Sequence, residues 1–170
     1  MLRSNALRTA MALCLFAVGG TAVAEQSSGT FNVTARIRGN CLVSAQNLAF
    51  ADYVPAAGDV DAESQISVRC TTGTAFNVAL NGGSTAGGSI GQRLMASGSH
   101  VLQYNLYTDA ARTTLWGDGS EGVVVSGEGE GMSPAKAQIK TVYGRLPDSL
   151  ANQDAPPGDY SDVITVTVTF

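Results

Sequence analysis

Residues 162 to 170 read DVITVTVTF. Val and Thr alternate there with a period of two, and both are stiff at χ1 and favoured in strands. Such a segment presents one apolar and one polar face, so it must lie half-buried in a sheet. The same rhythm recurs upstream. Gln65 to Cys70 alternates polar and apolar, and so does Phe76 to Leu80. Leu102, Tyr104 and Leu106 make another stripe, and Ala137, Ile139, Thr141 and Tyr143 a weaker one. No stretch carries a convincing helical period. Between the stripes stand turn residues: Asn81-Gly82-Gly83, Gly87-Gly88, Gly117-Asp118-Gly119, Gly127 to Gly131, and Pro156-Pro157-Gly158-Asp159. Glycine reaches positive φ and proline fixes φ, so both punctuate. Seven or eight strands so spaced predict an all-β sandwich in one domain.

The first residues have a different character. Arg3 and Arg8 precede a short apolar run, Met11 to Val18, and Ala22-Val23-Ala24 supplies small residues for cleavage. Residues 1–24 read as a secretory signal. A membrane anchor is the competing reading, but the run is far short of the ~20 residues that span a bilayer. Cys14 follows Leu13, which is too large for a lipid-attachment site. Removing Arg3 and Arg8 from ten basic side chains leaves eight against fourteen acidic ones. That balance argues against nucleic acid as a partner.

Two cysteines remain, Cys41 and Cys70. In an exported chain an isolated pair is most simply a disulfide. Ahead of it, residues 29 to 38 alternate again. Phe31, Val33, Ala35 and Ile37 share one side; Asn32, Thr34, Arg36 and Arg38 share the other. This segment is either the first strand of a self-contained sandwich or a strand lent to another copy. Alternation alone fits both.

Catalytic chemistry finds little to build on. His100 is the single histidine, and Gly98-Ser99-His100 carries no triad context. One histidine and a cysteine pair do not make a zinc site. The glycine-rich stretch 81–91 lacks the Gly-Lys-Ser/Thr of a phosphate loop. Asp118 to Glu121 lacks calcium-loop spacing. No carboxylate pair stands out for glycoside hydrolysis. Trp116 is expected in or near the core. The chain reads as a non-enzyme without a cofactor.

Taken in order, several features resemble one family. They are the signal, the alternating leader, Cys41 and Cys70, and Leu102-Gln103-Tyr104-Asn105-Leu106-Tyr107-Thr108-Asp109. Leu115-Trp116-Gly117-Asp118-Gly119 and Pro157-Gly158-Asp159-Tyr160-Ser161-Asp162 before the final strand complete the set. The chain resembles the spore coat protein U domain family, which includes subunits of archaic (Csu-type) chaperone–usher pili. The resemblance covers residues 25 to 170.

It implies an incomplete immunoglobulin-like, pilin-type sandwich with an N-terminal donor-strand extension. Residues 25–40 would be the extension and 41–170 the domain. Phe31, Val33, Ala35 and Ile37 would form the donor face. Ile164, Val166, Val168 and Phe170, in a strand over 160–170, would form the acceptor edge. The implied partners are other pilus subunits, a periplasmic chaperone and an outer-membrane usher, with export through the periplasm to the cell surface. A spore-coat or other envelope role, and a monomeric periplasmic binding module, stay open as alternatives.

Overall fold

The structure is a computed structural model, and it describes residues 23–170. The expected signal segment, 1–24, lies almost wholly outside the described residues. The chain divides into two units, Met1–Ala35 and Arg36–Phe170. In the first, residues 23–35 belong to no helix or strand. Phe31 and Val33 there are 86% and 84% exposed.

The second unit carries eight strands. They are β1 (Cys41–Ala45), β2 (Val60–Cys70), β3 (Ala75–Leu80), β4 (Arg93–Ser97), β5 (His100–Tyr107), β6 (Val125–Glu128), β7 (Gln138–Leu146) and β8 (Val166–Thr169). One helical turn, α1 (Leu150–Gln153), and a 3-10 turn at Pro134–Lys136 complete it. A five-stranded sheet runs β1-β2-β7-β5-β4 and a three-stranded sheet runs β6-β3-β8. Every pairing between these strands is antiparallel.

Period-two patterning assigns the faces. Ile66, Val68 and Cys70 of β2 point inward with Leu102, Tyr104 and Leu106 of β5 and Val142 and Leu146 of β7. Phe76, Val78 and Leu80 of β3 meet them from the other sheet. Trp116 is fully buried, as expected, and its Nε1–H donates to the Val78 carbonyl at 3.0 Å. Burying so large a ring without that partner would strand a donor. His100 starts β5 on the exposed side.

Cys41 and Cys70 are bonded and directly opposite in the β1–β2 ladder. Asn40 and Thr71 extend the tie: the Thr71 amide donates to the Asn40 carbonyl at 2.9 Å. β1 is thus fixed where it begins.

One expectation needs adjusting. The final strand is shorter than 160–170, because residues 161–165 are held by other means. Ser161 bridges Ala96 of β4, and Thr165 exchanges bonds with Asn81. The segment crosses from one sheet to the other before its ladder with β3 begins. Among the described residues, residues 29–38 take part in no ladder; the reading of this segment as a strand lent to a second copy concerns another chain.

Candidate functional site: an open apolar groove

The sandwich is not closed along one side. Opposed residues of an antiparallel pair share a face, so Val43, paired with Val68, points inward. Val68 is fully buried, yet Val43 is 42% exposed. Opposite it, β8 is an edge strand whose only ladder among the described residues is with β3. Its inward side chains Val166 and Val168, with Ile164 just before them, touch the core but are only half-buried. Phe170 is 58% exposed. Inward-facing apolar groups on these two edges leave part of the core uncovered.

Where these two edges end, at Ala45 and Val166, a groove of about 980 Å³ opens. Its floor is core: Leu80, Leu102, Tyr104, Leu106 and Leu146. One wall is the segment 45–53; the other is 155–166.

Each wall is pinned by a carboxylate. Asp162 holds the second. Its Oδ1 accepts from the Ser84 amide at 2.8 Å and from the Ser84 hydroxyl and the Thr85 amide and hydroxyl, each at 3.0 Å. Its Oδ2 accepts from the Tyr104 hydroxyl at 2.7 Å. Partial burial pulls this carboxyl upward, but the bonds from Tyr104, Ser84 and the Val163 amide outweigh it, and it titrates below its ordinary value. Burial, reinforced by the bond to Asp162, pushes the Tyr104 phenol well above its own. Gly83 makes the approach possible: its φ is +95°, and a Cβ there would collide with the Asp162 carboxylate.

Asp148 holds the first wall. It accepts from the Tyr53 hydroxyl at 2.6 Å and from the Ala56 and Gly58 amides at 3.0 Å. Burial, then this bond, pushes the Tyr53 phenol up to about 12. Phe50 meets Tyr104 edge-on at 6.1 Å. Leu48 and Phe50 rest on Gly144 of β7, where a Cβ would come within 2.9–3.1 Å of them.

Two buried polar side chains complete the frame. Arg93 is fully buried and, among the described residues, forms no ion pair. Its guanidinium donates to the Asn81, Ile90 and Trp116 carbonyls and to Asn105 Oδ1, at 3.0, 3.4, 2.7 and 2.9 Å. Burial pulls its pKa down, although an arginine keeps its charge. Asn152 takes the Gln103 amide at 2.7 Å and gives to the Gln103 carbonyl at 2.9 Å. It stands in for a strand neighbour at the point where β7 has ended.

The sequence-predicted acceptor residues Ile164 and Val166 line the groove, and Val168 continues the same face. Phe31, Val33, Ala35 and Ile37 are all exposed. Sequence reasoning missed the 45–53 wall, whose apolar run Leu48-Ala49-Phe50 has no alternation over strand length. It also missed Arg93 and Asn152, which lack any local sign of burial beyond the apolar company of Arg93 in RLMAS. Among the described residues, no group of three His, Cys, Asp or Glu side chains is placed to hold a metal.

An immunoglobulin-like sandwich of pilin type, with its core open along one edge, is the class that this fold and groove define. Comparison with known proteins agrees. The Spore Coat Protein U domain model matches residues 27–167, and the chain belongs to that family. Protein U of Myxococcus xanthus is 31% identical over 186 residues, which take in 98% of this chain and 99% of that protein. Among solved structures, a similar chain occurs in the CsuC–CsuE chaperone–tip adhesion subunit pre-assembly complex from the archaic chaperone–usher Csu pili of Acinetobacter baumannii. The TM-score is 0.55 at 26% identity over 79% of this chain. This chain spans 40% of the length of that one. Family and fold together place the protein among structural proteins of the spore-coat and pilus type.

Proposed function

We propose that this protein is a fibre-forming subunit of the cell surface, and that its copies join by strand exchange. The leader of one copy, residues 29–38, enters the groove of the next. Its face of Phe31, Val33, Ala35 and Ile37 covers the core, and its backbone pairs with the free edge of the terminal strand at Ile164, Val166, Val168 and Phe170. The carrying observation is the open groove itself: Ile164 and Val166, inward residues of the terminal segment, line it over the core and are only half-buried.

Exposed sheet edges invite pairing with other chains, and strand addition is the way that such an edge is satisfied. Burying three large side chains contributes roughly 1.5–3 kcal/mol each. Ordering the leader costs ~1–2 kcal/mol per residue, so a preformed groove is required. The carboxylate pins at Asp162 and Asp148 supply one.

The chaperone named in the solved neighbour supports a matching sequence of events for this chain. A periplasmic chaperone would hold the groove first, and an outer-membrane usher would exchange it for the next leader. The signal-like residues 1–24 fit export through the periplasm. A spore-coat layer is the second reading, favoured by the near-complete match to Protein U, and it would use the same fold.

The test is to express the chain with its secretion partners and run surface material on an unboiled SDS gel. Wild type should give a heat-labile ladder. Deleting residues 25–38 should give a species that receives a leader but donates none. Ladder growth from that deletion alone would contradict the proposal.

A further inference from the structure

The groove is charged at one end only. Its lining includes three carboxylates, Asp52, Asp159 and Asp162, and no lysine, arginine or histidine. All three gather at the Tyr104 end. Asp162 is bonded to Tyr104, and Phe50 meets that ring edge-on. Asp52 is two residues from Phe50 and Asp159 three from Asp162. At ~3.3 Å per residue, each lies within about 10 Å of that group. The opposite end, at Ala45, Ile66, Leu80 and Val166, is uncharged. Asp162 is engaged by Ser84, Thr85 and Tyr104. Asp52 and Asp159 are exposed and, among the described residues, belong to no ion pair.

The leader has the complementary asymmetry. Between residues 26 and 40 the charged residues are Arg36 and Arg38. Both stand at its C-terminal end, on the face opposite Ile37.

We infer that the acidic end of the groove recognises the basic end of a second copy's leader. Arg36 and Arg38 face Asp52 and Asp159 along the rim while Ile37 turns inward between them. The match selects the direction and register in which the leader seats. A reversed leader would bring both arginines to the uncharged end, and a one-residue slip would turn them into the core. Rim charges act mainly on encounter rate and on the rejection of wrong pairings, and salt screens them over about 10 Å at 0.1 M. This inference rests on the proposed exchange.

The experiment uses the purified full chain, unfolded with its disulfide intact and refolded by dilution at 20 mM and 500 mM salt. Assembly is followed on unboiled gels. Four forms are compared: wild type, R36E/R38E, D52K/D159K, and the fourfold charge swap. At low salt each double variant should assemble roughly tenfold more slowly, and the swap should recover the wild-type rate. At high salt all four should converge. R36E/R38E assembling as fast as wild type at low salt, or a swap that recovers nothing, overturns the charge match. V33D separates the two levels: if it too assembles normally, the exchange itself is wrong.

Discussion

Asp162 shows how much one side chain can set. It joins the loop at Ser84 and Thr85, the core tyrosine Tyr104 and the segment leading into β8. Replacing it with alanine should cost about 1.5–3 kcal/mol, the range for hydrogen bonds to a charged group, and thermal melts would measure this. The pH dependence has a definite sign. The folded carboxyl titrates below its unfolded value of ~3.9. Its stabilisation is therefore present at neutral pH and is lost as pH falls below about 4 through the folded pKa. The melting difference between wild type and D162N should shrink from pH 7 to pH 3; a constant difference would contradict the role. Cys41 and Cys70 act at the same scale. Serine at either should cost about 2–5 kcal/mol, read from the same melts, and should loosen the start of β1.

Among the elements, β2, β3 and β5 were legible in type and facing because each has two neighbours and a covered face; β7 was legible as a strand, but the stripe Ala137, Ile139, Thr141 and Tyr143 is its outer one, and Val142, Gly144 and Leu146 face the core instead. In all four, period two survives as buried positions alternating with more open ones. The terminal strand was legible in type but not in length, because Asp162 and Thr165 bond to loop side chains where a ladder was expected. The wall at 45–53 carries no repeating signal; it is held by Asp148, almost a hundred residues away in sequence. Gly144 gives a prediction for that wall. Valine there would collide with Leu48 and Phe50, costing about 1–3 kcal/mol as overpacking does. It should also displace the wall and slow assembly, measured as ladder formation after refolding. For the leader, Val33→Asp or Ile37→Asp should abolish fibres while the body still folds around its disulfide. Normal fibres on cells expressing either variant would remove the donor assignment.

For the whole molecule, the notable property is an immunoglobulin-like core left open where a strand could lie. The family match and the sequence agree on the class, and the groove explains why such a chain suits assembly. A closed sandwich would leave Val43 and Val166 covered; here both remain half-open to an occupant. The central claim is that the occupant is the leader of another copy. A photo-crosslinking residue at position 33, in an assembly of mixed light and heavy isotope-labelled chains, tests it most directly. The account predicts light-to-heavy crosslinks from position 33 to residues 160–170. Crosslinks confined to light-to-light and heavy-to-heavy pairs, from chains that fill their own grooves, would contradict it.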